Sequence, residues 1–306
     1  MTASKLAAMF LCIGLSASLL YIPAGAEIDD QLSAYTNKNA EGYLAPLADA
    51  FGASLNGALH HSAHIPSGLY FSLEFKAMVV FFGDDDRFFT ATTEGSFQPE
   101  QSVDAPTVVG PGTSVSVPGS GGTTYIFPGG FDLHRFGLVV PQLRFGSLMG
   151  TEAMLRYFAI DTGDDDLGSL SLFGFGLRHD ISQYLGPLPP LDLAAGFFWQ
   201  KFNLGENDQG DDLLSSSAFT IGVQASKNLG IFQPYAGLSL DYFSMDVEYD
   251  SEASGTTETL SFDYSSDTSA RLTAGLTFNF FILHVNAEYS IANQNSFCFG
   301  LAAGNY

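Results

Sequence analysis

Basic side chains, cysteine and long apolar runs are all scarce in this chain of 306 residues. Only 11 Lys and Arg stand against 33 Asp and Glu, which gives a formal net charge of −22. Because nucleic acid is bound through an excess of basic side chains, this balance excludes a nucleic-acid partner. The 2 cysteines are too few for a disulfide scaffold. Beyond residue 26 no run reaches the roughly 18 apolar residues of a transmembrane helix, so none is predicted.

Aromatic and small residues are abundant where charged ones are few. The chain has 28 Phe, 13 Tyr and 33 Gly, and only 14% of its residues are charged. Globular proteins in water carry roughly 25% charged residues. A positive mean hydropathy of +0.14 excludes a disordered chain. The composition therefore indicates that something other than water covers part of the protein surface.

The first 26 residues have the pattern of an export signal. Lys5 supplies a positive charge, residues 6–22 form an apolar stretch, and the small residues 24–26 form a cleavage site. Cleavage before Glu27 is therefore predicted. A short membrane anchor is the alternative interpretation of the same stretch.

Residues 27–66 are predicted to be a helical segment. Five of their apolar side chains recur at helical spacing and share one face. Pro46 and Gly52 interrupt the stretch, which predicts two short helical pieces. One helix cannot cover its own apolar face, so this segment needs a partner surface. The five side chains are Leu44, Leu47, Ala48, Phe51 and Leu55.

From residue 67 to 306 apolar residues recur at every second position, which is typical of strands with one apolar face. In 270–280, eleven residues alternate in this way, and about 9–11 residues cross a bilayer at a tilt. The predicted fold is all-β, an antiparallel transmembrane β-barrel of about 12 strands, with 10 to 14 left open. Residues 98–130, rich in Pro, Gly and Ser, are predicted to be a loop or lumen insertion with one short strand. The predicted strands are 68–82, 87–97, 102–109, 132–145, 151–161, 168–182, 191–204, 214–227, 232–249, 258–280, 282–292 and 296–305.

The connections between strands differ at the two ends of the predicted barrel. Phe281-Ile282 forms a short turn that pairs Phe280 with Leu283 and keeps both on the apolar face. Short turns at one end and long loops at the other are typical of outer-membrane barrels. A soluble β-sandwich gives the same alternation and is the alternative fold. The long, acidic loops are 161–168, 205–212 and 250–259.

Two finer features are also predicted. The strand at 168–182 changes phase near Leu172-Phe173, which predicts a β-bulge there. An even number of strands predicts that the mature N-terminus and Tyr306 lie at the same end of the barrel.

Charged residues accompany small polar ones on the predicted inward face. In a wet lumen they line a solute path, and in a closed barrel they form an internal ion-pair network. The sequence leaves both alternatives open. The predicted lumen-lining residues are Glu74, Lys76, Glu152, Arg156, Asp241, Arg271 and Glu288.

Neither of two clusters of metal-binding residue types predicts a metal site. His60, His61 and His64 lack a carboxylate or cysteine at useful spacing. The acidic triplets 84–86 and 164–166 do not follow the ligand order of an EF-hand loop, although carboxylates gathered at one rim suit Ca²⁺ or Mg²⁺. The acidic loops, which also include Asp208, Asp211 and Asp212, are interpreted as facing a divalent-bridged lipopolysaccharide layer. No metal and no other cofactor is predicted.

Four stretches carry a resemblance to a known family. They are FDLHRFGLVVPQL at 131–143, SLFGFGLRH at 171–179, AAGFF at 194–198 and GVQASK at 222–227. Together they resemble an uncharacterised family of predicted outer-membrane β-barrel proteins of Gram-negative bacteria, which implies location and fold. A more distant architectural likeness is to the long-chain fatty-acid transporters. That likeness implies that residues 27–66 plug the barrel formed by residues 67–306.

These observations favour passive transport of a small or hydrophobic solute through the plugged lumen of an outer-membrane barrel. The implied partners are membrane lipid, lipopolysaccharide and the solute. A structural or partner-binding envelope barrel without transport is the alternative. A membrane-embedded hydrolase comes third, because the sequence has no Gly-x-Ser-x-Gly and no His-Glu-x-x-His motif. Neither His179 nor His284 has an identifiable nucleophile, so no enzymatic activity is predicted.

Overall fold

The computed structural model describes residue 35 and residues 37–161, 169–185, 191–204, 214–251 and 258–304. It begins with one helix, α1 (Asn37–Leu55), which contains Pro46. The prediction of two short helical pieces is therefore wrong. Proline removes one backbone hydrogen bond, but packing of both halves of α1 against other elements holds the helix together. Among the described residues, none of the helices has the length and hydrophobicity needed to cross a membrane.

Fourteen strands follow the helix in the described part of the chain. They are β1 (Tyr70–Phe81), β2 (Phe88–Thr92), β3 (Ser102–Pro106), β4 (Val115–Pro118), β5 (Thr124–Phe127), β6 (Arg135–Leu148), β7 (Thr151–Asp161), β8 (Ser169–Asp180), β9 (Asp192–Leu204), β10 (Leu214–Ser226), β11 (Phe232–Ser251), β12 (Glu258–Phe280), β13 (Leu283–Ile291) and β14 (Ser296–Gly304).

Ten of these strands close into an antiparallel barrel. Strands β6 to β14 pair in sequence order, and β1 closes the barrel by pairing with both β14 and β6. The all-β antiparallel barrel is confirmed, but the predicted number of about 12 strands is not. The predicted strands at 87–97 and 102–109 correspond to β2 and β3, which pair only with each other. At 5 residues each, they are too short to cross a bilayer, which takes about 9–11 residues.

Residues 82–134, called the cap below, leave β1 and return at β6. Residues 98–130 of the cap hold β3, β4 and β5 rather than one short strand. The cap has its own apolar core, which packs against the first half of α1. Tyr43 joins it directly, because its hydroxyl donates a hydrogen bond of 3.0 Å to the Gly129 carbonyl. The cap residues of this core are Ala91, Ala105, Val108, Val109, Val117 and Phe127.

The chain enters the barrel from the end that carries the cap. Tyr35 packs on Phe89 and Phe127 of the cap, whereas β1 begins at the other end, where Ser72 pairs with Gly304. The mature N-terminus and Tyr306, for which a shared end is predicted, lie outside the described residues. Below, the end with the cap and the long loops is called upper and the end with the short turns is called lower.

The hairpin of β12 and β13 has the register predicted from its apolar pattern. Phe280 pairs with Leu283, Phe278 with Val285 and Leu276 with Ala287 across the two-residue turn. Phe281 in this turn has a φ of 59° and its side chain is 95% exposed. A bulky residue is rare in this left-handed region, and a large apolar side chain is rare at full exposure to water. The exposure of this apolar side chain favours a turn that rests in an apolar or interfacial medium.

The outer surface of the barrel carries a continuous apolar belt. On β11 the outward side chains are apolar or Tyr from Phe232 to Tyr242 and then become polar at Ser244 and Asp246. The belt begins at the lower turns themselves and is bounded above by a row of large aromatic residues on neighbouring strands. That row consists of Tyr157, Phe173, Trp199, Phe219 and Tyr242. An outward apolar band with aromatic residues at its boundary is typical of transmembrane barrels.

Tyr235 packs across the inner wall onto the bare backbone of Gly275, and this contact gives a stability prediction. A Cβ at Gly275 would overlap the Tyr235 ring, whose hydroxyl donates a bond of 2.7 Å to Glu288. We expect Gly275→Ala to lower the free energy of unfolding by about 1–3 kcal/mol, because the ring has to move. Gly237→Ala is the matched control, since its Cβ would meet first the flexible Gln224 side chain at 3.3 Å. Equal urea midpoints for the two variants in detergent would contradict the prediction.

Candidate functional site

Residues 37–66, called the plug below, run through the inside of the barrel. The ring centroid of Phe51 lies 5.9 Å from that of Phe136 on β6, 4.8 Å from that of Phe202 on β9 and 6.1 Å from that of Phe243 on β11. These strands are spread around the barrel, so a side chain that touches all three lies in the lumen. The lumen and the plug form the candidate site.

The upper half of the lumen is apolar. Along β1 the inward residues change from Glu74 and Lys76 to Met78 and Val80 toward the cap. Leu172 also points inward at this level and packs in the same cluster. The prediction of a β-bulge near Leu172-Phe173 is wrong, because β8 pairs with β7 and β9 without a register shift. The inward position of Leu172 explains the change of phase in the apolar pattern of β8. The inward side chains around α1 are Met78, Val80, Phe136, Leu138, Val140, Leu172, Phe202, Phe243 and Met245.

The lower half of the lumen is polar, and its wall binds the main chain of the plug. Arg156 donates from Nη1 to the Leu55 carbonyl at 3.0 Å and from Nη2 to the Gly57 carbonyl at 2.9 Å. Gln142 donates to the Leu59 carbonyl at 3.1 Å. Side chains of five other wall residues bind plug carbonyl groups in the same way, so polar groups hold residues 53–62 from several sides. Those residues are Arg144, Arg178, Gln200, Arg271 and Thr277.

Five charged side chains form one cluster on the wall below the helix. The carboxylate of Glu74 lies 3.1 Å from Lys76 Nζ and 3.0 Å from Arg144 Nε. The carboxylate of Glu152 lies 3.2 Å from Arg144 Nη1 and 2.7 Å from Arg178 Nη2. All five residues are buried. Three cations and two carboxylates thus neutralise most of one another's charge inside the barrel.

The remaining predicted lumen residues lie on other parts of the inner wall. Arg271 Nε donates to the Asp241 carboxylate at 2.6 Å, and its Nη2 donates to the Ala53 carbonyl at 3.1 Å. Glu288 accepts a bond of 3.1 Å from the Ala58 backbone N–H. The structure therefore buries all seven predicted residues and gives each a polar partner on the plug or the wall.

Two central residues of the charge cluster, Arg144 and Arg178, are absent from the predicted set. The available signal was their position: Arg144 is two residues from Gln142, and both are on the inward face of β6. Arg178 follows Gly174 and Gly176 on the inward face of β8. The period of two was thus sufficient to place them.

The histidine cluster does not form one site. Residues 60–64 lie beyond the end of α1, so His60 and His64 do not share a helix face. His61 is buried 3.7 Å from the Glu74 carboxylate, whereas the half-exposed His64 contacts Asp192 at 3.2 Å. Within the described residues, no group of three or more His, Cys, Asp or Glu is arranged to hold a metal ion. The predicted acidic positions 164–166, 208, 211 and 212 lie outside those residues.

His179, the candidate base of a hydrolase, lies at the lower end of the barrel. Its Nδ1 is 2.7 Å from Thr151 Oγ1, and its Nε2 is 3.0 Å from the Tyr184 hydroxyl. Gln183 is also within hydrogen-bond distance of this ring. These contacts tie the short helical turn at Ser182–Tyr184 to β7.

Asp49 of α1 is a half-buried acid at the upper mouth of the lumen. The hydroxyl of Tyr264 donates to its carboxylate at 2.7 Å. Burial raises the pKa of Asp49 above its ordinary value and the charge of Asp86 adds to this, while the Tyr264 bond opposes the rise. The surroundings of Asp49 therefore disfavour the ionised form of its carboxyl group in the folded protein.

We expect Asp49→Asn to stabilise the protein at neutral pH. The amide oxygen still accepts the Tyr264 bond, and the buried charge is removed. Because the folded pKa is raised, the advantage shrinks as the pH falls through it and disappears below the unfolded value of about 3.9, where the acid is neutral in both states. Urea midpoints at neutral and acidic pH measure this trend. A gain that grew on acidification would contradict it.

Solved barrels resemble the fold at low sequence identity. The outer membrane protease OmpT from Escherichia coli is 8% identical, with a TM-score of 0.34 over 81% of this chain and 98% of its own. The translocator domain of autotransporter NalP from Neisseria meningitidis is 15% identical, with a TM-score of 0.35 over 87% and 99%. A Pseudomonas aeruginosa FadL homologue is 9% identical, with a TM-score of 0.29 over 89% and 95%.

Among curated proteins, none matches this chain significantly. A family model does match, and it covers almost the whole sequence, residues 3–304. This confirms the resemblance to an uncharacterised family that the sequence motifs carried. The chain belongs to the family of unknown function DUF6588.

Proposed function

We propose that this protein is an outer-membrane barrel whose plug controls the passive passage of small polar solutes. The apolar belt supports the membrane location, because its outward Phe, Leu and Val side chains are widely exposed on a closed barrel. The lower turns lie on the periplasmic side in this placement, since short turns face the periplasm in such barrels.

The main support for this proposal is that polar side chains of the wall hold the lower plug by its main-chain carbonyl groups. Water can replace each of these bonds, which contribute about 0.5–1.5 kcal/mol net when an amide or hydroxyl donates and about 1.5–3 kcal/mol when an arginine donates. A wall of charged and amide groups also tolerates water once residues 56–66 move aside. The contact between the lower plug and the wall is therefore suited to opening and closing.

The upper plug is held differently. The second half of α1 packs on apolar wall residues and its first half on the cap, and separating these surfaces would expose apolar area to water. Opening is therefore expected at residues 56–66, while the helix remains anchored. A polar lower lumen favours polar solutes, so the proposal concerns these rather than hydrophobic ones.

A structural barrel without transport is the second candidate. The buried cluster of Glu74, Lys76, Arg144, Glu152 and Arg178 favours it, since such a network can fill a closed lumen permanently. The two candidates differ in one consequence, because the intact chain of a transport barrel passes solutes when residues 56–66 move, whereas an intact structural barrel stays closed.

Planar-bilayer recordings of the purified chain and of a variant without residues 27–64 test the proposal. We expect conductance to rise on the order of tenfold or more on deletion, because a ten-stranded barrel is wider than the eight-stranded barrels that side chains just fill. A shift between boiled and unboiled samples on a gel shows that the variant is folded. A folded deletion variant that stays silent would favour the structural candidate and reject transport.

A further inference from the structure

One sector of the lumen wall is bare between two arginines. Neighbouring inward residues from β8 to β12 form a row there, and its three central members have no side chain or a short one. A cavity of about 50 Å³ lies at this place, between the wall and residues 56–60 of the plug. The row consists of Arg178, Gly196, Gly222, Ser239 and Arg271.

A second cavity of about 20 Å³ continues toward the upper end of the lumen. It is lined by Asp49 of the helix and by Asn293 and Gln294 of the connection between β13 and β14. Asn56 and Arg271 line both cavities, so these two side chains form the constriction between them. Since a cavity of about 10–15 Å³ holds one water molecule, both spaces are large enough for water.

The polar groups that face these cavities include a hydrogen-bond donor without a partner among the described residues, and they carry more negative than positive charge. Arg271 is 4% exposed, and among the described residues its Nη1 has no hydrogen-bond partner. This nitrogen lies 3.5 Å from the ideal Cβ position of Gly57, beside the larger cavity. Carboxylates of Asp49, Asp241 and Glu288 line the two spaces against the single guanidinium of Arg271. Such a lining favours water and small cations over anions.

We propose that water and small monovalent cations move from the upper rim along this side of the plug and pass the constriction at Asn56 and Arg271. They then enter the larger cavity beneath Ser239, which is called the chamber below. The proposal rests on the proposed function for the role of the plug, and it adds the route and the class of solute. Below the chamber, the bond of 3.1 Å between Arg178 and Gln224 closes the route while the plug is in place.

Silver ion, a small monovalent cation that bonds thiols, tests the route in the full-length protein. Ser239→Cys places a thiol in the chamber wall, and native Cys298, which is buried on β14 and lines neither cavity, serves as the internal control. We expect the introduced thiol to be modified on the order of tenfold faster than Cys298 in reconstituted vesicles, because reaction requires the ion to reach the thiol. Free thiols are counted by alkylation after unfolding.

Filling the chamber supplies the second arm of the experiment. Gly237 lines the chamber, and a Cβ there meets first the flexible Gln224 side chain at 3.3 Å, so Gly237→Leu directs an isobutyl group into the chamber. We expect it to slow the modification of Ser239→Cys to the rate of Cys298. Ser116→Leu, at an exposed position of β4 in the cap that lines neither cavity, should leave the rate unchanged.

Three outcomes would overturn the route. Ser239→Cys could react as slowly as Cys298, Gly237→Leu could fail to protect it, or Cys298 could react equally fast. The last result would show that silver reaches the whole lumen after general displacement of the plug. The assay needs no plug movement, whereas the conductance test of the proposed function does, so each can fail while the other succeeds.

Discussion

Oxidation of a cysteine pair at Ser62 and Ser226 is expected to abolish solute passage, and reduction to restore it. The two hydroxyl oxygens lie 3.4 Å apart, one on the lower plug and one on β10. Cysteines at such facing positions can form a disulfide when their Cβ atoms are about 3.5–4.5 Å apart. The bond would fasten residues 56–66 to the wall without removing any charged group. If those residues are the moving part, conductance steps disappear on oxidation and return with reductant.

The controls for this experiment use the same chain. Cys298→Ser removes the native thiol, and Ser62→Cys or Ser226→Cys alone cannot form the bond within one molecule. Both single variants should conduct equally under oxidising and reducing conditions. Identical conductance of the oxidised and reduced pair, with the disulfide verified by mass, would show that solutes do not require movement of the lower plug.

Replacing Glu152 by leucine is expected to cause the largest loss of stability. Its carboxylate accepts a bond from the Tyr70 hydroxyl and pairs with Arg144 and Arg178. Removing it leaves two buried guanidinium groups with an excess of positive charge. Breaking a buried ion pair in this way costs about 3–5 kcal/mol. The emission of Trp199, the only tryptophan of the chain, reports unfolding in urea and detergent.

Matched substitutions separate this effect from a general effect of adding leucine. Glu100→Leu, at an exposed position of the cap, should stay within about 0.5 kcal/mol of the native chain. Glu152→Gln keeps the shape and should fall between the two. If Glu152→Leu unfolded at the urea concentration of Glu100→Leu, the charge cluster would not stabilise the barrel.

Local alternation in the sequence was sufficient to place the ten barrel strands. It also fixed the β12–β13 register, because a slip by one residue would have turned Phe280 and Leu283 to the wrong face. It failed at β2 and β3, whose residues alternate like barrel strands but pair only with each other. Which strands become neighbours depends on contacts between distant residues, and period alone carries no information on these.

The candidate site was predictable to a similar degree. The period of two located the charges of the lower lumen, since inward and outward residues alternate along each strand. It could not show that the upper lumen is apolar, because Met78 and Leu172 point inward only to meet a helix from another part of the chain. The single helix through Pro46 was missed for the same reason, as its support comes from the barrel and the cap.

The apolar belt starts at the lower turns, and in the proposed placement this offset determines how far the barrel projects from the membrane. On β12 the belt covers residues 270–280, so residues 258–269 stand above the bilayer. At about 3.3 Å per residue and a tilt of about 40°, that length is a tower of roughly 30 Å. Its wall displays Asp246 and Asp263 outward. Sugar chains, proteases and antibodies approaching the surface would meet this acidic tower before any part of the membrane.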